Sequence, residues 1–270
     1  ADMGVRMWLE KVSADANKLA DLAKAYVDVA TKVESSLATQ LSRRAASLFQ
    51  DKLDDLDSAV EQYQEILKID EKDEKALAGL ELIHRSRNDD QELVDILRRR
   101  AQWTIGQERK REYFTEIAQI QSTRIGDLAG AAKTLRTLLE FTPDDRQVFS
   151  HLEELLTKDQ QWDSLANCYE LEEQRLAAKM GPESVEHRLD CTHKRAVVLD
   201  QHLDRRSVSV ALFKGILDEV NNEEEWMEYI HKRADAGIPE FLELLVELFE
   251  ERGQDQNYCE ALENSLKHSS

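Results

Sequence analysis

The residues in this chain that could do chemistry are few and scattered. His187 and Cys191 stand four apart, which puts both on one face of a helix, with Asp190 beside them. These are zinc-ligand types, but a structural zinc site takes four ligands, and no second pair follows at a matching spacing. The reading is therefore no metal, with Cys191 a small packed residue and His187 an ordinary surface one. The cluster Asp51, Asp54, Asp55 and Asp57 lacks the Gly and the closing Glu that a calcium loop sets at fixed offsets. It reads as a polar helix turn with an N-cap. Two basic runs, Arg98-Arg99-Arg100 and Arg109-Lys110-Arg111, read as solvated helix faces and helix C-termini, where positive charge suits the macrodipole. Trp8, Trp103, Trp162 and Trp226 read as packing between helices. No Gly-rich phosphate loop, nucleophile elbow or HExxH pair occurs. The chain offers no catalytic set, so neither catalysis nor a cofactor is expected of it.

The elements that would have to position such residues are helices. Leu, Ala, Glu, Asp, Lys and Arg dominate 270 residues that hold only nine Gly and three Pro. Straight side chains lose little rotamer freedom in a helix. A formal net charge of −19 repels phosphate backbones and argues against a nucleic-acid partner. Three cysteines, Cys168, Cys191 and Cys259, are odd in number and lack CxxC spacing, which suits a reducing compartment and makes the cytoplasm the expected location. No apolar run reaches membrane-spanning length; Phe241 to Phe249 is broken by Glu243 and Glu247. The chain opens without an initiator Met and stops just after a helical pattern, so it reads as a piece of a longer protein.

Apolar residues recur with helical period in Leu56, Ala59, Val60, Tyr63, Ile66 and Leu67, again from Ala76 to Ile83, and again in Leu93, Ile96 and Leu97. The breaks are short and polar, as in Asp70-Glu71-Lys72-Asp73 and Arg87-Asn88-Asp89-Asp90, and their Asp and Asn residues can cap the next helix. Pro143, Pro182 and Pro239 are each expected at a helix start, where proline loses no hydrogen bond. The pattern predicts about eleven or twelve helices and no strand.

The chain also repeats itself. At an offset of 72 residues, as from Ala46 to Ala118, Leu53-Asp54-Asp55-Leu56 meets Ile125-Gly126-Asp127-Leu128, Ala59 meets Ala131, and Leu80 meets Leu152. A weaker third copy aligns Ala196, Leu203, Ser209 and Phe213 with Ala46, Leu53, Ala59 and Tyr63. In that copy Arg206 replaces Leu56 and Leu128. Each long copy divides into two helical hairpins. A hairpin alone leaves an apolar face open, and stacking on its neighbour covers it.

These residues resemble the tetratricopeptide repeat, a helix-turn-helix unit of 34 residues. The resemblance is best at Phe114, Ile117, Ala118, Gly126, Ala131 and Pro143, then at Ala45, Ala46, Phe49, Ala59 and Tyr63. The repeats are degenerate: Ile66 and Leu138 stand where the family has a small residue. The segments are 1–38, helices at the start of the array; 39–180, the best-matching repeats; and 181–270, weaker repeats and a capping helix. The resemblance implies an all-α, right-handed superhelical solenoid of antiparallel hairpins. It implies a protein-interaction scaffold that takes a partner's peptide or helix in a concave groove lined by the first helices. Carried onto this chain, the groove residues are Gln40, Arg43, Ser47 and Gln50, then Glu112, Thr115, Gln119 and Ser122. The same positions could equally be the solvated side of an amphipathic helix. The acidic surface would favour a basic partner. The Lys/Asn clamp by which some members hold chaperone C-terminal carboxylates is not recognisable. The other reading is a regulatory or substrate-recruiting domain of a larger enzyme or signalling protein. Self-association through end helices would use Met7, Trp8 and Leu9, or Tyr258, Leu262 and Leu266.

Overall fold

The short polar breaks between apolar stripes become helix caps. In the computed structural model, residues 16–179, 181–219, 224–253, 257 and 259 are described. They form thirteen α-helices, with no strand among the described residues. These are α1 (Ala16–Ala30), α2 (Ser35–Asp51), α3 (Leu56–Ile69), α4 (Glu74–Arg87), α5 (Asp90–Trp103), α6 (Gln107–Ile120), α7 (Leu128–Phe141), α8 (Arg146–Lys158), α9 (Trp162–Ala177), α10 (Pro182–Gln201), α11 (Arg206–Glu219), α12 (Glu224–Asp235) and α13 (Pro239–Glu251). A π-helical turn, Gln121–Ile125, continues α6. The all-α class is as the periodicity requires, with slightly more helices than the pattern predicts. Met7, Trp8, Leu9, Tyr258, Leu262 and Leu266 lie outside the described residues.

The 72-residue offset is visible in the backbone. Asp55 caps α3 through the Ser58 N–H at 3.2 Å, and Asp127 caps α7 through the Gly130 N–H at 2.8 Å. Asp73 and Asp145, at the same offset, cap α4 and α8 through the Ala76 and Val148 N–H groups at 2.9 and 3.2 Å. Each cap satisfies a donor that the first helical turn leaves open. Left-handed residues recur in register at Asp54, Gly126 and Asp204, with φ of 53°, 80° and 52°, and at Asn88 and Gln160, with φ of 56° and 54°. Gly and the short polar side chains of Asp and Asn tolerate that region best.

Pro182 and Pro239 occupy the first turns of α10 and α13. Pro143 does not open a helix. It sits inside the turn that Asp145 N–H closes onto Thr142 C=O at 3.0 Å, the second turn position that a fixed φ near −65° suits. The Asp145 cap then starts α8 at Arg146.

The chain forms two units, Ala1–Leu155 and Leu156–Ser270, and the break falls within α8. In the first unit each helix from α1 to α7 packs on the next. Ala46, Ala59, Ile66, Ala76 and Leu77 are fully buried there, as are Ala118 and Ala131. Fully burying a Leu or Ile side chain contributes about 1.5–3 kcal/mol. Gly79 lies directly under the Tyr63 ring, which a β-carbon at residue 79 would strike. In the second unit α9 packs on α10, α10 on α11, and α13 on α11 and α12. Its core centres on Phe213, Ile230 and Phe241. Ser209, at the place of Ala59 and Ala131, is wholly buried and donates to the Ala196 carbonyl at 2.8 Å. That bond removes the cost of a buried hydroxyl.

Candidate functional site

The first helices of successive hairpins in the first unit are α2, α4, α6 and α8, and ion pairs tie each to the next. Arg43 of α2 binds Asp73, the cap of α4. Arg85 of α4 binds Glu116 of α6 at 2.8 Å. Arg111 of α6 binds Asp145, ahead of α8, at 2.6 Å. Burial pushes the Asp145 carboxyl up, but the Arg111 guanidinium and two helix N–H groups outweigh it and hold it below the usual carboxylate range.

The eight residues expected in the groove fall into three sets on this frame. Three have structural work: Arg43 in its pair with Asp73, Gln50 accepting from the Tyr63 hydroxyl at 2.8 Å, and Ser47 donating to Asp51 at 2.8 Å. Ser122, in the π-helical turn, donates to the Gln119 carbonyl at 3.2 Å, and Glu112 lies 3.8 Å from Arg109. Gln40, Thr115 and Gln119 are exposed on α2 and α6.

Two cavities lie elsewhere in this unit, and neither includes a groove candidate. The first, about 600 Å³, sits between α3 and α5 over α4. The second, about 550 Å³, sits between α5 and α7 over α6. They are the same place in successive hairpins. Helices α5 and α7 each have 14 residues and follow an Asp cap, so position matches position. Trp103 and Phe141, the last residues of α5 and α7, each close one end of a cavity. They are 37% and 41% exposed, so Trp103 is a cavity wall where the sequence suggested plain packing. Lys72 lies over the Trp103 ring at 4.2 Å, and Lys110 over the Phe141 ring at 3.9 Å. The charges differ. Glu92 and Asp95 in the first cavity correspond to Gly130 and Lys133 in the second. Counted from the caps of α3 and α5, Gln64 corresponds to Arg98.

The basic runs are therefore not uniform solvated faces. Arg98 lines the second cavity and Arg99 the first. Arg100 turns inward to Glu74 and Glu81, with its guanidinium 5.2 Å from the Tyr113 ring centre. Lys110 and Arg111 divide between Phe141 and Asp145. Three consecutive residues on a helix point about 100° apart, so a run of like charges always serves different neighbours.

In the second unit His187 and Cys191 share a helix face beside an ion-pair cluster. His187 Nε2 is 3.3 Å from Glu172 Oε1, which Arg175 also holds. Cys191 is buried, and burial together with Glu172 and Asp190 pushes its thiol up to about 12. Among the described residues no group of three or more His, Cys, Asp or Glu could hold a metal ion. Burial likewise pushes Glu173 up against the pull of Arg195.

The most buried charge is Asp200, with none of its side chain exposed. It accepts from Tyr229 Oη at 2.7 Å and Arg233 Nη2 at 2.9 Å, and pairs with Arg233 Nε at 2.6 Å. Arg206 Nε stands 3.7 Å away. Burial and then the bond to Asp200 raise the Tyr229 hydroxyl above its ordinary value. Tyr229 and Arg233 of α12 both donate to Asp200 of α10, so this cluster ties the two helices together.

No protein-family model matches the chain, and no curated protein matches it in sequence. Solved structures that it resembles include YrrB, described as a TPR protein with an unusual peptide-binding site, at 12% identity over 77% of this chain and 98% of that one, with a TM-score of 0.32. Pseudomonas aeruginosa pilF gives 16% identity over 80% and 97%, with a TM-score of 0.30. A monomeric IFIT1 mutant solved with m7Gppp-AAAA gives 12% over 97% and 65%, with a TM-score of 0.38. No helix among the described residues is long and apolar enough to cross a membrane.

Proposed function

We propose that this chain is a non-catalytic scaffold that holds a segment of another protein along the first-helix face of its first unit. The face runs over residues Gln40, Arg43, Ser47 and Gln50 of α2, and Glu112, Thr115, Gln119 and Ser122 at and beyond α6. The observation that carries this reading is the division of labour on α2 and α6. Arg43 and Gln50 fix the helices, while Gln40, Thr115 and Gln119 stay exposed on the rows so fixed. A preorganised polar row can meet a partner's backbone and side chains without first being ordered. The partner is another protein or peptide, with basic segments favoured by the net charge of −19. The same charge disfavours nucleic acid. Residues 39–180 would carry the binding repeats, with 1–38 and 181–270 flanking them.

A photo-crosslinking side chain placed at Gln119, and at Glu65 on the exposed side of α3 as control, tests the reading in host lysate. A discrete adduct from residue 119 and none from 65 is the expected result. Adducts from 65 alone would move binding off the first-helix face.

A further inference from the structure

We propose that the cavity between α5 and α7 is a second binding site, and that it takes an acidic peptide segment bearing one apolar side chain. The site has an apolar wall: the rings of Phe114 and Phe141 stack at 6.1 Å with 27° between their planes. It has three cations, Arg98, Lys110 and Lys133. Its one carboxylate, Asp127, is committed to the Gly130 N–H at the start of α7. Among the described residues Arg98 pairs with the exposed Asp95, one helical turn away at 3.3 Å, and such a pair holds it weakly.

A local excess of positive charge is unexpected on a chain of net charge −19, and the corresponding cavity lacks it. There Asp95 stands for Lys133, Gln64 for Arg98 and Glu92 for Gly130. Gly130 leaves room for the Asp127 carboxylate and the Gln121 amide, which a β-carbon there would strike. Same frame and opposite charge mean that the second cavity's preference is set by its own residues. About 550 Å³ holds one large side chain with the backbone that carries it, which places the apolar group against the rings and flanking carboxylates on the cations. A polynucleotide fits less well. It presents a phosphate every few ångströms and needs a continuous basic track, and in the next cavity along Glu71, Glu92 and Asp95 outnumber Lys68 and Arg99.

This site shares no residue with the first-helix face and does not rest on that reading. Fluorescence anisotropy with a labelled five-residue peptide, one Phe flanked by two Glu on each side, tests it. The probes for comparison are the Lys-flanked counterpart and a labelled oligouridylate. The chain should bind the acidic peptide saturably, and Lys133→Asp should weaken it by about tenfold or more, a scale set by reversing one close charge. Phe141→Ala should weaken it too. Circular dichroism confirms that each variant folds. Four outcomes would overturn the proposal: no saturable binding, equal affinity in Lys133→Asp, tighter binding of the basic peptide, or tighter binding of oligouridylate. A peptide lost with Gln119→Glu but kept with Lys133→Asp would also overturn it, and would leave the first-helix face standing.

Discussion

In the first unit Leu56 and Leu128 open α3 and α7, with Gln50 and Ser122 on the helix before. In the second unit Arg206 and Asp200 hold the corresponding places. The backbone is the same at all three, with a left-handed residue at Asp54, Gly126 and Asp204 and a fully buried Ala at 46, 118 and 196. What differs is how the hairpin is locked. The first unit uses apolar stripes and close approach, as where Gly79 meets Tyr63. The second buries a carboxylate and surrounds it with Arg206, Tyr229 and Arg233. Arg206 itself binds Asp204 at 2.8 Å and lies 3.7 Å from Asp200, which makes a paired replacement of Leu56 and Gln50 by Arg206 and Asp200 a reading to test. A repeat frame tolerates such a swap because each hairpin answers mainly to its neighbours.

The comparison breaks most visibly at Arg233→Ala. Removing the main partner of a buried charge costs about 3–5 kcal/mol. Urea melting of variants that keep a single tryptophan should show that loss from Trp226 in the second unit, with the signal from Trp103 in the first unit little changed. A loss under about 1 kcal/mol would deny Asp200 its locking role. Next in size, Gly79→Ala should cost the first unit about 1–3 kcal/mol by overpacking against Tyr63, read from the same melt. If it is neutral, the ring can shift and close packing is not what holds that hairpin. A double-mutant cycle sharpens the idea of paired replacement. Asp200→Ser and Arg206→Leu, the residues at Ser122 and Leu128, should together cost less than the sum of the singles by about 0.5–1 kcal/mol. Strict additivity would make Arg206 an independent change.

The smallest effect concerns the ties between first helices. Asp145 has a depressed pKa when folded, so its contribution is present above the ordinary value near ~4 and is lost as pH falls through the folded value. Arg111→Gln should raise the Asp145 carboxyl pKa, seen by NMR titration, and cost about 1 kcal/mol or less at neutral pH. An unmoved titration would mean that the helix N–H groups alone hold the carboxylate.

Much of this architecture is legible in the chain. The periodic stripes, the Asp caps and the 72-residue offset all depend on local residues, and their turns recur in register. Asp200 looks like any surface aspartate, because its burial comes from Tyr229 and Arg233 on α12, far along the chain. Pro143 carries the same signal whether it opens a helix or bends the turn before one; only the Asp145 cap decides. The groove positions show as polar residues between apolar ones, yet nothing local reveals that Arg43 and Gln50 are occupied with Asp73 and Tyr63. The cavities did leave a trace. Trp103 and Phe141 end helices of equal length, each with a lysine placed to cover its ring, but a basic run read as one face hides that Arg98, Arg99 and Arg100 go to three places.

The most direct test of partner holding is quantitative affinity capture from host lysate. The parent chain is compared with a Gln40→Lys, Thr115→Lys, Gln119→Lys variant whose circular dichroism and thermal midpoint match it. The scaffold account predicts a partner enriched on the parent and lost from the variant. Equal capture by both would contradict it.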